Sequence, residues 1–188
     1  MFNIIKNFIV ENYLDDLKKE INLRKDIVNI NDISFSEERQ TCWMSNKDYT
    51  YMYGGKIMYP DNISKTVEKI RQIVKLNYSP LDVYGLPYNI DFDSVLINYY
   101  KNGNIGMRYH SDEIYDTWEE ESVIISFGIT RSIVFREINN YNNKTYIDLE
   151  SGDLLYMKKG CQKIYQHRIL KNKQIKNDRI SLVFKKHK

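Results

Sequence analysis

Beyond Pro87 the chain is a succession of short runs rich in β-branched and aromatic residues, and no other feature restricts its fold so tightly. The runs cover 92–100, 122–129, 133–138, 145–149, 153–157, 164–169 and 180–184, with loops of Asn, Gly and Lys between them. Each has the length of a strand. Many short strands at this spacing predict a β-sandwich or jelly-roll rather than a helical bundle or a parallel α/β sheet. Two helical patterns precede them. In 8–21, Phe8, Ile9, Tyr13, Leu14, Leu17 and Ile21 recur near helical spacing; after Pro60-Asp61, Ile63, Val67, Ile70 and Val74 share one face, and the pattern ends near Asn77 to Pro80. Between them, 49–53 reads as a strand and Gly54-Gly55 as a turn. The expected class is α+β and β-rich: a jelly-roll core at 92–188, with residues 1–91 adding helices against one of its sheets within the same domain. A chain of 188 residues buries one sizeable core.

Composition removes several classes. Cys42 and Cys161 stand far apart, in neither a disulfide framework nor a zinc spacing, which fits a reducing intracellular home, cytoplasmic or nuclear. The apolar residues of 1–10 are interrupted by Lys6 and no small-residue cleavage site follows, so no secretory signal is expected, and no apolar run is long enough to span a bilayer. A net charge of +3 does not announce a nucleic-acid partner. Its distribution is more suggestive: from Tyr156 onward Asp178 is the only acid among Lys158, Lys159, Lys163, Arg168, Lys171, Lys173, Lys176, Arg179, Lys185, Lys186 and Lys188. Such a run gives either a basic face suited to phosphates or a solvated surface ending in a frayed tail.

The chemistry follows from strand geometry. Residues two apart in a strand point the same way, so His110 and Asp112 face one side together. With a second His from a distant strand they form a facial triad, the donor set that holds ferrous iron and leaves positions open; His167, in the alternating run Tyr165-Gln-His-Arg-Ile169, is the third ligand, whereas His187 lies in a lysine-rich tail. An ordinary loop pair and a surface histidine are the competing reading. In the closing run Ile180, Leu182 and Phe184 form a core face, while Arg179, Ser181, Val183 and Lys185 form the other. Burying an unpaired guanidinium is costly, so an arginine there expects an anionic partner, and its planar fork suits a carboxylate. Asn98 and Tyr100 share a strand face and offer an amide and a phenol to the same anion; the competing reading makes Arg179 the first solvent-facing residue of an edge strand.

Taken in order, these residues resemble the AlkB family of Fe(II)- and 2-oxoglutarate-dependent dioxygenases, close to its nucleic-acid dealkylases, from about Glu37 to the C-terminus. The family's Asn-x-Tyr stands here as Asn98-Tyr99-Tyr100, its His-x-Asp as His110-Ser111-Asp112, its distal His as His167, and its closing Arg-x-Asn-x-Thr-Phe-Arg as Arg179-Ile-Ser181-Leu-Val183-Phe-Lys185. Phe127 to Arg131, with Phe135-Arg136, resembles the strand pair after the metal loop. The closing strand departs at Ser181, Val183 and Lys185, and Lys185 brings a point charge where a fork is usual. Glu113 stands where the family's base-reading acid is usually Asp.

The resemblance implies a double-stranded β-helix that binds Fe(II) through His110, Asp112 and His167, and 2-oxoglutarate through Asn98, Tyr100, Arg179, Ser181 and Lys185. It further implies O2-dependent hydroxylation of an N-alkyl carbon, with release of succinate and formaldehyde. A methylated base in single-stranded or locally opened DNA or RNA must be flipped out and stacked, with Tyr51, Tyr53, Trp43, Arg39, Glu113 and Arg131 as candidate contacts from a nucleotide-recognition segment within 1–91 and from the core. A monomer is expected. Two alternatives stand beside this one: an oxygenase of the same fold acting on a protein or a modified transfer-RNA base, and a binding module with a degraded cofactor site.

Overall fold

The computed structural model describes residues 1–30, 33–53, 55–76, 91–113 and 117–188. The strands, in chain order, are β1 (Phe2–Ile5), β2 (Ile27–Ile30), β3 (Ile33–Ser36), β4 (Gln40–Ser45), β5 (Tyr51–Tyr53), β6 (Lys56–Met58), β7 (Ser94–Tyr100), β8 (Met107–His110), β9 (Ser122–Gly128), β10 (Arg131–Glu137), β11 (Lys144–Leu149), β12 (Leu154–Met157), β13 (Tyr165–Ile169) and β14 (Arg179–Lys185). The helices are α1 (Leu14–Glu20), α2 (Lys65–Leu76) and the short α3 (Cys161–Ile164). A six-stranded antiparallel sheet runs β1-β12-β9-β14-β7-β4 and faces a four-stranded sheet, β11-β10-β13-β8; two hairpins, β2-β3 and β5-β6, complete the described strands. This is the expected jelly-roll.

The two-residue period sorts the large sheet into two cores. Val95 and Ile97, Val123, Ile125 and Phe127, and Ile180, Leu182 and Phe184 face the helices, where they join Leu17, Val67, Ile70 and Val74 in one buried cluster. Their neighbours of opposite parity, among them Leu96, Tyr100, Ile124 and Val183, face the second sheet and pack with Ile133, Phe135 and Ile169. Both faces of the central strands are therefore buried, which explains why the sequence there is apolar with polar residues only at selected positions.

The structure revises two expectations. The first helix occupies only Leu14–Glu20. Ile9 donates its N–H to the Gly152 carbonyl at 3.0 Å, tethering the preceding segment to the sheet, and the Asn12 side chain accepts the Leu14 N–H at 3.2 Å in a turn just before the helix. The second helix buries the expected Val67, Ile70 and Val74, while its expected end at 77–80 lies outside the described residues. The core is also not confined to 92–188, because β1 and β4 form the two edges of the large sheet. Their segments lack clean alternation, since burial there depends on distant strands.

One buried acid fixes the β1 edge. Asp153 accepts the Lys6 ammonium at 2.7 Å and the N–H groups of Asn7 at 3.0 Å and Glu150 at 2.8 Å. Removing one partner of a buried pair strands the other groups. Asp153→Ala is predicted to destabilise the protein by about 3 kcal/mol in urea unfolding, whereas Lys6→Ala, which leaves the two N–H groups in place, costs about 1 kcal/mol.

Candidate active site

Strands β8 and β13 pair antiparallel with His110 directly opposite His167, and Asp112 follows two residues beyond β8. Nε2 of His110 lies 3.6 Å and Nε2 of His167 3.8 Å from Oδ1 of Asp112, and one ligand atom from each of the three residues falls within 4.8 Å of the others. The loop holding Asp112 is pinned by two contacts: its N–H donates to Oε1 of the buried Gln162 at 2.9 Å, and Ser111 donates to the Tyr165 carbonyl at 3.1 Å.

The protonation states suit a cation. Nδ1 of His110 lies 2.9 Å from the Arg108 carbonyl; a carbonyl only accepts, so Nδ1 carries the proton and Nε2 presents its lone pair. Burial lowers both imidazoles below the usual histidine range, His167 to about 3, so at neutral pH neither has a proton to lose on metal binding. Burial would raise the Asp112 carboxyl, but the Lys185 ammonium and the two imidazoles outweigh it and hold the group well below the ordinary carboxylate range. Two neutral imidazole nitrogens and a carboxylate on one side of a small space are the donors ferrous iron takes, with other positions left open. The residues fit the metal.

The same cavity is lined by Asn98, Tyr100, Arg179 and Ser181, by Arg39 and Tyr53, and by apolar Leu96, Met107, Ile124, Ile133, Ile169 and Val183. Strand β14 is central, lying between β9 and β7, so Arg179 is not an edge residue; it is 1% exposed. Its Nη2 donates to Oγ of Ser126 at 2.5 Å, while Nε and Nη1 are buried with no hydrogen-bond partner among the described residues. Burial, with Arg131 nearby, lowers its pKa to about 10, so it remains cationic at neutral pH. Two unfilled N–H groups on a buried guanidinium suit a carboxylate, and the donors of Asn98, Tyr100 and Ser181 stand in the same cavity.

Other expected contacts are placed elsewhere. Tyr51 is 1% exposed and stacks on Trp43 with ring centroids 4.6 Å apart, so both belong to the inner core rather than to a surface open to a base. Arg131 is committed to the carbonyls of Asn102, Ile105 and Leu170, behind Tyr100. Lys185 does not line the cavity; its ammonium bonds Oδ2 of Asp112 at 3.3 Å, which, against the opposing effect of burial, holds it protonated above the ordinary lysine range. Glu113 is exposed and does not line the cavity. His187 stacks on Tyr49 with centroids 3.7 Å apart, outside the triad. The basic C-terminal run forms no single face: Arg179 and Lys185 are buried, and Lys163, Lys171 and Lys186 pair with Glu120, Glu38 and Asp93.

Sequence reasoning missed Gln162 and Ser126, and it read Arg39 only as a candidate contact for the base. Arg39 has the parity of Thr41 and Trp43, with Cys42 and Met44 on the opposite, helix-facing side. Reading 40–45 as a strand would have placed it beside Tyr100, because Gln40 pairs with Tyr99.

A model of the 2OG-Fe(II) oxygenase superfamily matches residues 5–185. The chain belongs to this superfamily. The oxygenase is 30% identical over 174 residues to the uncharacterised protein R406 of Acanthamoeba polyphaga mimivirus, covering 91% of this chain and 85% of the viral one. It is 26% identical over 165 residues to human alpha-ketoglutarate-dependent dioxygenase alkB homolog 3, covering 82% of this chain but only 53% of the human protein. The structure of OsALKBH1 superposes with a TM-score of 0.69 over 99% of this chain and 96% of that one; at 16% identity this speaks for the fold. The oxygenase is accordingly a 2-oxoglutarate-dependent dioxygenase whose cofactors are Fe(II), 2-oxoglutarate and O2. Among the described residues no helix is long and apolar enough to cross a membrane.

Metal affinity tests the assignment of the triad. In titrations with Mn(II), Asp112→Ala should abolish binding. Gln162→Ala, which frees the Asp112 backbone but leaves all three ligands in place, should weaken it by about 10-fold, as loss of an outer-shell partner does. Wild-type affinity in Asp112→Ala would remove the triad.

Proposed function

We propose that this oxygenase oxidatively removes N-linked methyl groups from bases of DNA or RNA, acting on single-stranded or locally opened substrate. The observation that carries the reading is the composition of the one cavity. The metal triad and the unfilled guanidinium of Arg179 share it with the half-buried phenol ring of Tyr53, which has the Arg39 guanidinium 5.2 Å from its centroid. A flipped base needs an aromatic platform close to the reacting centre, and stacking contributes about 1–3 kcal/mol per base. Beyond the cavity, exposed Arg108 on β8, two residues before His110, lies over the ring of Phe35 on β3, a cation and an aromatic that suit a nucleic-acid strand.

When bound, iron and 2-oxoglutarate would activate O2, which is the oxidant; the protein's own residues orient them and exclude water. His110, Asp112 and His167 would hold the metal. Arg179, with Asn98, Tyr100 and Ser181, would hold the dicarboxylate, and Tyr53 would stack the base. Lys185, held by Asp112, would act through that carboxylate rather than on the co-substrate. The intact donor set and the unfilled Arg179 weigh against a binding module with a degraded site.

The test is formaldehyde and succinate release with ferrous iron, ascorbate and 2-oxoglutarate, with and without a single-stranded oligonucleotide carrying 1-methyladenine or 3-methylcytosine. Oligonucleotide-dependent formaldehyde that is lost in His110→Ala is expected. Succinate alone would retain the oxygenase and discard the substrate. Tyr53→Ala should raise KM for the oligonucleotide by the equivalent of about 1–3 kcal/mol without changing KM for 2-oxoglutarate.

A further inference from the structure

Two arginines line the cavity, and they differ in one respect. Arg179 has no acidic partner among the described residues, whereas the Arg39 guanidinium, 6% exposed, lies 3.1 Å from Oε1 of the equally buried Glu37. Glu37 in turn takes the Lys56 ammonium at 2.6 Å, and that ammonium also reaches Asp26 at 2.8 Å and Thr41 at 3.3 Å. The inner end of this chain of charges is a hydrogen bond: Nε of Arg39 donates to Oδ1 of Asn98 at 2.7 Å.

We infer that Arg39 is a positioning residue that fixes the Asn98 amide with its NH2 group toward the cavity, making it an obligate donor to 2-oxoglutarate. The two ends of an asparagine amide have nearly the same shape and opposite hydrogen-bonding character. Packing alone selects poorly between them. A guanidinium has no acceptor, so only the amide oxygen can face Arg39, and the donor end is left for the cavity that Asn98 lines. The reversed amide would set an oxygen lone pair against a co-substrate carboxylate. Glu37 makes the arrangement workable, because it balances the charge of Arg39 and leaves Arg179 as the cation without an acid. Thr41, which touches Lys56, also pairs in register with Asn98, so the network and the strand pairing hold the same residue.

The inference rests on the co-substrate and not on the identity of the oxidised target, so failure of the base-demethylation reading leaves it intact. Its test is calorimetric titration of 2-oxoglutarate into the full chain loaded with Mn(II), which needs no turnover. Arg39→Gln, whose own amide can turn either way, should raise the Kd about 10-fold, while Arg39→Lys, still a pure donor, should stay within about 2-fold of wild type; each 10-fold corresponds to about 1.4 kcal/mol. Mn(II) affinity should be unchanged in both. In an Asn98→Ala background Arg39→Gln should change the Kd by less than about 2-fold, since its effect passes through Asn98. The double substitution Glu37→Gln with Arg39→Gln strands no buried charge and should reproduce the 10-fold loss if the single variant fails to fold. An unchanged Kd in both Arg39→Gln variants, or an undiminished loss in the Asn98→Ala background, would overturn the inference; the latter would show that Arg39 binds the co-substrate itself.

Discussion

The register of β14 between β9 and β7 is the constraint on which the rest of this molecule depends. Leu182 pairs with Ile125 on one side and Ile97 on the other, so the apolar parity of three strands meets on the face covered by the helices. The opposite parity then has no choice: Arg179, Ser181, Val183 and Lys185 turn inward toward the second sheet together with Asn98, Tyr100 and Ser126. A slip of one residue would exchange every one of these side chains with a core residue. The large helix-side cluster, built from Leu17, Val67, Ile70 and Val74 against Ile97, Ile125 and Leu182, stabilises the register and so bears the cost of placing an arginine and a lysine inside a barrel.

That cost is managed differently at each buried charge. Lys185 is balanced by Asp112, Arg39 by Glu37, and Arg131 by three backbone carbonyls. Arg39, though paired with an acid, keeps one buried nitrogen, Nη2, without a hydrogen-bond partner among the described residues, and Arg179 is left with two, Nε and Nη1, and with no acid. Buried polar groups are normally satisfied, so this imbalance marks where the fold has traded stability for a ligand. The pairing of Lys185 with Asp112 also explains how the closing strand tolerates lysine in place of the arginine usual in the family it resembles. An ammonium is sufficient to neutralise one carboxylate oxygen, and no fork is needed for that task.

Much of the fold and the metal site was legible in the sequence because both are written in local period. The strands from Ser94 onward stand out as short β-rich runs with polar residues at selected positions of one parity, and His110, Asp112, His167 and Arg179 lie in or beside those strands. What was not legible depends on partners distant in the chain. β1 and β4 are strands because β12 and β7 receive them, and the 8–21 pattern shortens to Leu14–Glu20 because Gly152 holds Ile9. Among the site residues, parity identified which side chains share a face but not which of them would be taken by another group. Tyr51 went to Trp43, Lys185 to Asp112 and Arg131 to backbone carbonyls, and no spacing along the chain records those encounters.

The central claim is that the unfilled guanidinium of Arg179 is the anchor for a dicarboxylate beside a two-histidine, one-carboxylate metal site. A crystal structure with Mn(II) and 2-oxoglutarate tests it most directly. The metal is expected on His110, Asp112 and His167, with the carboxylate remote from the metal accepting from Nε and Nη1 of Arg179. A co-substrate bound elsewhere, with those two N–H groups still unfilled, would contradict it.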